Sequence, residues 1–239
     1  MQIKRNGGGL MLKLKCLATG SSGNCYLLST ENETLILDCG IPIKEIKKGL
    51  DFDLFNVVGC LVTHAHSDHN RSFKEVSGLG IPLWQPYLSE EKIQRRYFGG
   101  FMVRSFELPH ENAECCGYLI TCPNGEKLVY ATDFEYIKYS FKKIRIQHML
   151  IECNYQNKYV EKSASNREHV LRGHAELQTT LGVVKDNADS LKNVILCHIS
   201  HGNGNPYEMV EEVQKCVKNA NVDFAEKGKE FSLTDECPF

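Results

Sequence analysis

The chain has 239 residues, of which 42% are hydrophobic and 24% are charged, and its formal net charge is -2. This length and composition suit one globular domain with a large core, and the small net charge argues against indiscriminate binding of polyanions. Eleven scattered cysteines, with no CxxC pair and no export signal, favour a reducing compartment, so we expect a cytoplasmic protein. No apolar run reaches the roughly 18 residues that a membrane span needs, so we expect no membrane association.

The first ten residues differ in character from the rest of the chain. They include three consecutive glycines, Gly7 to Gly9, and Met11 follows shortly afterwards. We expect a flexible leader over residues 1–10 and a single domain over residues 11–239. Met1 and Met11 both remain candidate start positions.

Short apolar runs bounded by turn residues dominate the first half of the chain. They predict strands over residues 12–18, 25–29, 34–37, 57–63, 101–108, 116–121 and 127–131. Apolar residues at helical spacing predict helices over residues 41–50 and 88–97. The segment Pro123-Asn124-Gly125 predicts a hairpin turn between the last two strands.

The second half of the chain repeats this mixture. It predicts strands over residues 149–152 and 194–198, and helices over residues 166–185 and 206–217. No linker or internal repeat divides the chain. Interleaved strands and helices predict an α/β fold in which two mixed sheets pack face to face, with helices on the outside.

One segment concentrates metal-binding side chains. Residues 63–69 read THAHSDH and follow the predicted strand 57–63 directly. Residues two apart in an extended chain point the same way, so His64 and His66 can face one metal. After a turn, Asp68 and His69 can face a second metal beside it. A single strand histidine is usually packed or solvated, but burying this whole group would cost free energy without a coordinated ion.

This segment resembles the HxHxDH motif of the metallo-β-lactamase superfamily, whose further ligands follow later strands. Three residues match those positions in order: His110, Asp133 and His198. The resemblance implies an αββα sandwich with two divalent metals, zinc or else manganese or iron. It implies one metal on His64, His66 and His110, a second metal on Asp68, His69 and His198, and Asp133 between them. It also implies hydrolysis by a water molecule activated between the metals.

A glycine- and serine-rich loop narrows the comparison to one branch of the superfamily. Residues 18–25 read ATGSSGNC and resemble the GSSGN segment of the WalJ/YycJ family of DNA-directed nucleases. Backbone N–H groups and hydroxyls in such a loop suit phosphate oxygens. Ser21, Ser22 and Asn24 are therefore candidate substrate contacts, although a plain strand turn explains the same residues.

Three later segments extend the resemblance to most of residues 12–206. Residues 150–155, LIECNY, resemble the family's acidic-Asn segment, which makes Asn154 a candidate substrate contact. Residues 172–175, RGHA, resemble its GHLS segment, and RNase Z enzymes carry a histidine at the same place. By that resemblance His174 assists the leaving group as a catalytic residue. Residues 197–206, CHISHGNGNP, resemble the family's HLS-x-x-N-N-x-P ending.

The sequence also departs from the family pattern. Ala175 and Glu176 replace the Leu-Ser pair, and no insertion leaves room for the long arm with which RNase Z holds tRNA. His201 stands where an acidic residue is common. It is also an alternative to His198 as the histidine ligand that ends the late strand. We favour His198, because it follows its predicted strand directly.

The first hypothesis is a metal-dependent phosphodiester hydrolase, most similar to a WalJ/YycJ-like DNA exonuclease, in which Asp68 helps to orient the attacking water. An alternative is a cyclic-nucleotide phosphodiesterase of the RNase Z-like, phage anti-defence type. A third hypothesis is a metal-binding module without catalysis. The expected partner is a nucleic acid or nucleotide. Formation of a homodimer is left as an open alternative. A basic run over residues 138–145 suits a nucleic-acid backbone, but its setting favours a solvated surface.

Overall fold

The computed structural model describes residues 11–91, 93–111, 113–160 and 171–234, so the expected leader over residues 1–10 lies outside the described part. Six strands form a first mixed sheet in the order β13-β1-β2-β3-β4-β5. These strands are β1 (Lys13–Ala18), β2 (Cys25–Ser29), β3 (Thr34–Leu37), β4 (Val57–Leu61), β5 (Leu83–Trp84) and β13 (Glu230–Ser232). Strands β3, β4 and β5 run parallel to one another, and the remaining pairs are antiparallel.

Seven strands form a second mixed sheet in the order β12-β11-β10-β9-β8-β7-β6. They are β6 (Arg95–Phe98), β7 (Phe101–His110), β8 (Ala113–Thr121), β9 (Lys127–Ala131), β10 (His148–Glu152), β11 (Asn193–Cys197) and β12 (Asn221–Phe224). Strands β9 to β12 are parallel, whereas β6 to β9 form an antiparallel meander. The carboxyl ends of β9, β10 and β11 therefore lie at one edge of the sheet.

Five helices are described, and they vary greatly in length. They are α1 (Ile43–Gly49), α2 (Ser67–Asn70), α3 (Phe73–Gly78), α4 (Leu177–Asn187) and α5 (Pro206–Gln214). The start of α5 is fixed by Asn205, whose Oδ1 accepts hydrogen bonds from the backbone N–H groups of Tyr207 and Glu208. Pro206 suits the first helical position because its missing N–H has no helical partner there. Within the described residues, no helix combines the length and the apolar character that a membrane span requires.

Two apolar layers hold the molecule together. The first lies between the sheets and includes the fully buried rings of Tyr26, Tyr118 and Tyr130. The second lies between the second sheet and the long helices, where Leu181 of α4 and Met209 of α5 are buried. The predicted arrangement of two mixed sheets with helices outside is confirmed.

The helix predicted over residues 88–97 is wrong. Residues 95–98 instead form β6, which pairs with the start of β7 as a tight antiparallel hairpin. Gly99 and Gly100 make the turn, and Gly99 has a φ of +52°. A Gly-Gly pair between two strands is a hairpin signal, and this signal outweighs the helical spacing of the apolar residues before it.

The helix predicted over residues 166–185 does not continue unbroken through the described residues 171–185. The chain leaves helical geometry at His174 and Ala175, and Glu176 forms a parallel bridge with Tyr155. Glu176 then caps α4, because its side chain accepts a hydrogen bond from the backbone N–H of Gln178. This break turns His174 toward the edge of the sheet, where the strands β10 and β11 end. Residues 166–170 of the predicted helix lie outside the described residues.

Candidate metal centre

The polar residues of the candidate site follow the carboxyl ends of parallel strands in both sheets. Asp38 follows β3 and His64 lies three residues beyond β4, whereas Asp133 and His198 follow β9 and β11. Asp38, Asp133 and His198 have φ angles of +57°, +53° and +53°. Non-glycine residues are rare in this left-handed region, and such strained conformations cluster at functional sites. The chain thus turns sharply at each strand end and directs its polar side chain inward.

Three histidines form the first group of candidate ligands. The Nε2 atom of His64 lies 3.0 Å from Nδ1 of His66, and the same Nδ1 atom lies 3.3 Å from Nε2 of His110. Three ring nitrogens therefore converge on one point, at separations that a divalent ion with bonds of about 2.0–2.2 Å requires. These are the three residues that the sequence motif assigns to one metal.

A second group lies beside the first and contains carboxylates. The Nε2 atom of His69 lies 2.8 Å from Oδ2 of Asp133 and 3.6 Å from Oδ2 of Asp68. The Nε2 atom of His198 lies 3.7 Å from Oδ1 of Asp133 and 3.9 Å from Oδ2 of Asp68. Asp133 also approaches His64 closely enough to share an ion with it. Its carboxylate therefore stands between the two groups.

Three of the histidines are oriented through their Nδ1 atoms. His69 donates to Asp38 at 2.7 Å, His110 donates to the carbonyl oxygen of Gly173 at 2.7 Å, and His198 lies 3.0 Å from Glu152 Oε1. A hydrogen bond from Nδ1–H leaves the lone pair of Nε2 for a metal, and such partners fix ring orientation in metal sites. The chain therefore presents Nε2 of each ring to the centre of the site.

The short helix α2, which carries Asp68 and His69, is held against the preceding loops by backbone contacts. A Cβ atom on Gly40 would lie 1.7 Å from the carbonyl oxygen of Asp68, so only glycine allows this approach. The backbone N–H of Asn24 donates to that same oxygen at 2.7 Å. The Nδ2 atom of Asn24 lies 2.9 Å from Nε2 of His69. The loop over residues 18–25 thus fixes the position of α2.

The two groups of histidines differ in their protonation. Burial lowers the pKa of His64 well below its usual value, and burial also lowers the pKa of His110. Burial opposes the charged form of His69 as well, but the carboxylates of Asp133 and Asp38 outweigh it and raise the pKa to about 10. The pKa of His198 is likewise raised despite burial, chiefly by Asp133. His69 and His198 therefore favour their protonated forms, whereas His64 and His110 favour their neutral forms.

The donor atoms fit divalent cations. Among the described residues, Nε2 of His198 is a buried polar atom without any hydrogen-bond partner. Buried polar atoms almost always have partners, so an exception calls for an explanation. A cation between His198, Asp68 and His69 satisfies this atom and balances the buried carboxylates. Imidazole and carboxylate donors suit zinc, manganese and iron alike.

Glu152 connects the site to His174. Its fully buried carboxylate lies 2.8 Å from Nδ1 of His174 and 3.0 Å from Nδ1 of His198. It also accepts hydrogen bonds from the backbone N–H groups of Phe134 and Ala175. Burial opposes charge on His174, but the carboxylate of Glu152 outweighs it and raises the pKa of the imidazole. Glu152 thus holds His174 beside the site and favours its protonated form.

The four candidate substrate contacts fall into two pairs. Ser21 and Ser22 are exposed, and substrate contact remains a prediction for both. Asn24 and Asn154 are buried. Asn154 donates from Nδ2 to the carbonyl oxygen of His198 at 2.7 Å. Asn24 similarly contacts Asp68 and His69 of α2. The positions of these two asparagines suit the orientation of His198 and His69 better than contact with a substrate.

His201 and the basic run lie apart from the converging ligands. His201 is exposed and belongs to none of the side-chain groups that can hold a metal within the described residues. In the basic run, Lys138 pairs with Glu107, and Lys142 begins a single turn of 3-10 helix. This run covers the outer face of the second sheet, where Phe141 packs on Phe106.

Asp38 and Glu152 also belong to the site, although neither was among the predicted site residues. Both are fully buried carboxylates that contact candidate ligands. Their positions in the sequence offered one signal, because Asp38 directly follows an apolar strand and Glu152 is the last residue of another. A charged residue at such a position is costly to bury without a partner.

The comparisons with known proteins agree with this geometry. Residues 18–82 match the family model described as the metallo-beta-lactamase superfamily. The chain is 28% identical to exodeoxyribonuclease YycJ of Bacillus anthracis over 161 residues, which are 56% of this chain and 58% of that protein. It is 35% identical to exodeoxyribonuclease WalJ of Streptococcus pneumoniae over 77 residues, 29% of this chain and 24% of that protein. The matches thus span little more than half of one relative and about a quarter of the other.

Solved structures share the fold over nearly the whole chain. The metallo-beta-lactamase fold protein YhfI of Bacillus subtilis has a TM-score of 0.72 at 16% identity, covering 93% of this chain and 99% of that one. The short form of human tRNase Z has a TM-score of 0.62 at 16% identity, covering 93% and 100%. A diphosphatase of the PhnP family has a TM-score of 0.64 at 14% identity, covering 92% and 97%.

The chain has the metallo-β-lactamase fold, and residues 18–82 match the model of that superfamily. Within that superfamily it resembles the YycJ/WalJ proteins, as its sequence motifs predicted. Its cluster of histidines and aspartates indicates divalent metals.

Proposed function

We propose that this protein is a metal-dependent phosphodiester hydrolase that acts as a nuclease on DNA. The observation that carries this proposal is the position of His174 next to the ligand cluster, where Glu152 orients its ring beside Asp133. The similarity to exodeoxyribonuclease YycJ supports DNA as the substrate. Cations next to a positioned acid suit cleavage of a P–O bond. The acid can protonate the oxygen that leaves as an anion.

Each ligand has a proposed place. His64, His66 and His110 would hold one divalent metal, and Asp68, His69 and His198 would hold the other, with Asp133 close to both groups. When bound, such a pair of metals polarises the phosphate and activates a water molecule. Zinc is our first choice of metal, with manganese and iron as alternatives.

The chain's own side chains perform the remaining steps. Asp68 is the most exposed of the clustered carboxylates, with 24% of its side chain accessible, so it can accept a hydrogen bond from the attacking water and orient it. His174 keeps its Nδ1 atom on Glu152 and donates a proton through Nε2 as the P–O bond breaks. The leaving 3′-oxygen of a nucleotide is a poor leaving group without a proton, so a positioned acid accelerates its departure.

A cavity beside His110 keeps a second candidate substrate open. Its lining includes Glu107, Glu111, Glu114 and Glu135, with Arg172 as the one cation among the described lining residues. Lys138 pairs with Glu107, but carboxylates still outnumber cations among the described lining residues, and this excess disfavours a long polyanion on this side of the site. This feature favours a compact phosphodiester, and a 3′,5′-cyclic nucleotide is therefore the alternative substrate.

The test compares substrates on protein that is stripped with a chelator and then reloaded with zinc or manganese. The substrates are 5′-phosphorylated duplex DNA, single-stranded DNA, a structured RNA and a panel of cyclic nucleotides. Metal-dependent shortening of DNA supports the nuclease, whereas cleavage confined to cyclic nucleotides moves the protein to the alternative. Asp133→Asn should abolish turnover and lower metal content, and Asp189→Asn, at an exposed position, is the matched control. Full activity in Asp133→Asn contradicts the proposal.

A further inference from the structure

A second cavity flanks the candidate site on the side of His198. It has a volume of about 450 Å³, within the range of pockets that hold small organic groups. Its lining joins the loop over residues 18–25 to the segment that leads into α5. Thr19 and Ile199 are part of this lining. The backbone N–H of His198 donates to Oγ1 of Thr19 at 2.9 Å, and Ile199 is the next residue along the chain. The cavity therefore lies next to the backbone of His198, one of the candidate ligands.

The lining is apolar and aromatic with a polar rim. Ile199, Pro206 and Phe224 supply apolar surface, and Tyr207 adds a ring that is 70% exposed. The ring of Tyr207 packs edge-to-face on Phe224, with the ring centroids 5.4 Å apart. Phe224 in turn lies under the ammonium group of Lys229. These contacts hold an exposed aromatic ring in place beside the site, and such rings are the platforms on which nucleobases stack.

The two cavities differ in charge, because acidic residues dominate the lining of the first and the charges of the second nearly balance. The cavity beside His110 carries four glutamates and one arginine among its described lining residues. The cavity beside His198 carries one glutamate, Glu226, against Lys227, with His201 and Ser22 as further polar groups. A phosphate backbone is repelled from the first cavity and tolerated at the second. A strand that reaches the metals therefore approaches along the side of His198.

We propose that the cavity between Thr19, Ile199 and Tyr207 is a nucleobase subsite, in which Tyr207 stacks on the base next to the scissile phosphate. This inference rests on the proposed phosphodiester hydrolysis and specifies its substrate as a nucleotide rather than any phosphodiester. It gives the exposed Ser22 and Lys227 at the rim the role of contacts to the adjoining sugar and phosphate.

A binding experiment tests the subsite without turnover. Metal-loaded protein is titrated by calorimetry with dAMP, with dTMP and with 2-deoxyribose 5-phosphate, which lacks a base. We expect at least one nucleotide to bind about tenfold more tightly than the sugar phosphate, as loss of one stacked base implies. Tyr207→Leu should abolish this difference, whereas Tyr207→Phe, which keeps the ring, should retain it. Tyr97→Leu, at a similarly exposed tyrosine on the edge strand β6, is the matched control and should also retain it.

The outcomes separate the subsite from the proposed function. Equal affinity for the nucleotides and the sugar phosphate overturns the subsite, and so does a difference that survives Tyr207→Leu. A second measurement uses DNA with one abasic nucleotide at the cleaved end, for which we expect KM to rise about tenfold while kcat is kept. If no DNA is hydrolysed at all, the proposed function fails, but the calorimetry still decides whether a base binds beside Tyr207.

Discussion

The Nδ1 atom of His69 lies 2.7 Å from Oδ2 of Asp38, and both side chains are fully buried. Asp38 also accepts hydrogen bonds from the backbone N–H of Thr63 and the hydroxyl of Tyr130. The aspartate therefore ties the ligand helix α2 to the ends of β3, β4 and β9. It fixes the ring of His69 so that Nε2 faces Asp133.

Asp38→Asn should weaken metal binding in the group that contains His69. Loss of a partner that orients a metal ligand typically lowers metal affinity about 10–100-fold, because the ring of His69 loses its fixed orientation. The measurement is metal retention during dialysis against a buffered chelator, with Asp189→Asn as the exposed control. Retention equal to that of the unaltered protein, in a correctly folded Asp38→Asn variant, contradicts this role.

Metal content should distinguish His198 from His201. His198→Gln removes a buried nitrogen that faces Asp68 and Asp133, so we expect about half of the bound metal to be lost. His201→Gln changes an exposed ring and should keep the full metal content. Elemental analysis of both purified variants decides between them. Loss of metal in His201→Gln alone would reverse the assignment that the strand positions favour.

Replacement of His174 should slow the cleavage of DNA, whose leaving group needs a proton, more than the cleavage of a substrate whose leaving group needs none. A general acid contributes about 10²–10⁴-fold to rate, so His174→Ala should slow DNA cleavage by that factor. Hydrolysis of bis(p-nitrophenyl) phosphate, whose leaving group needs no proton, should fall by less than about tenfold. An equal loss on both substrates would mean that His174 acts in another way, such as support of Asp133.

The dependence of kcat on pH in Glu152→Gln tests whether Glu152 controls the pKa of His174. Burial lowers the pKa of His174 and the carboxylate of Glu152 raises it, so removal of that charge should lower the pKa of His174. The protonated acid is then lost at a lower pH, and the alkaline limb of the kcat profile should shift toward acid. His174→Ala should lack that limb. An unchanged alkaline limb in Glu152→Gln contradicts the proposed coupling.

Binding of the two metals should release different numbers of protons. In the metal-free protein the pKa of His69 is raised to about 10, so this histidine is protonated at neutral pH and must lose its proton to bind a metal. Burial has already lowered the pKa of His64, so the three-histidine group binds a metal with less competition from protons. Affinity of the group with His69 should therefore rise with pH between about 6 and 9.

Calorimetry in two buffers with different enthalpies of ionisation measures this proton release. One binding event should release protons to the buffer and the other should release fewer. Identical proton release in both events would contradict the electrostatic difference between the groups.

The candidate metal ligands were predictable from the sequence because the resemblance to the metallo-β-lactamase superfamily gives each of them a recognisable place. His64 to His69 form a compact motif after an apolar strand, and His110, Asp133 and His198 each lie where an apolar run ends. Parallel strands bring such positions to one edge. Local patterns therefore indicated a cluster, although its distances required the three-dimensional structure.

Asp38 and Glu152 were harder to recognise, since a single carboxylate after a strand is common in turns. Their importance lies in contacts across long sequence separations, such as that between Asp38 and Tyr130. The helix expected over residues 88–97 failed for a related reason. Pairing of β6 with β7 is a tertiary interaction, and such interactions override the helical spacing of a short segment. The cavity beside Tyr207 likewise joins loops that are distant in sequence.

The most direct test of the central claim is a stepwise metal titration that follows DNA cleavage and metal content together. Protein stripped with a chelator receives zinc or manganese in increments, and shortening of 5′-phosphorylated duplex DNA is recorded at each step. We predict no cleavage without metal, full cleavage once two metal ions are bound per chain, and none at any metal concentration in Asp133→Asn. A chain that binds both metals and cleaves neither DNA nor a cyclic nucleotide, or one that cleaves DNA after complete chelation, would contradict the account.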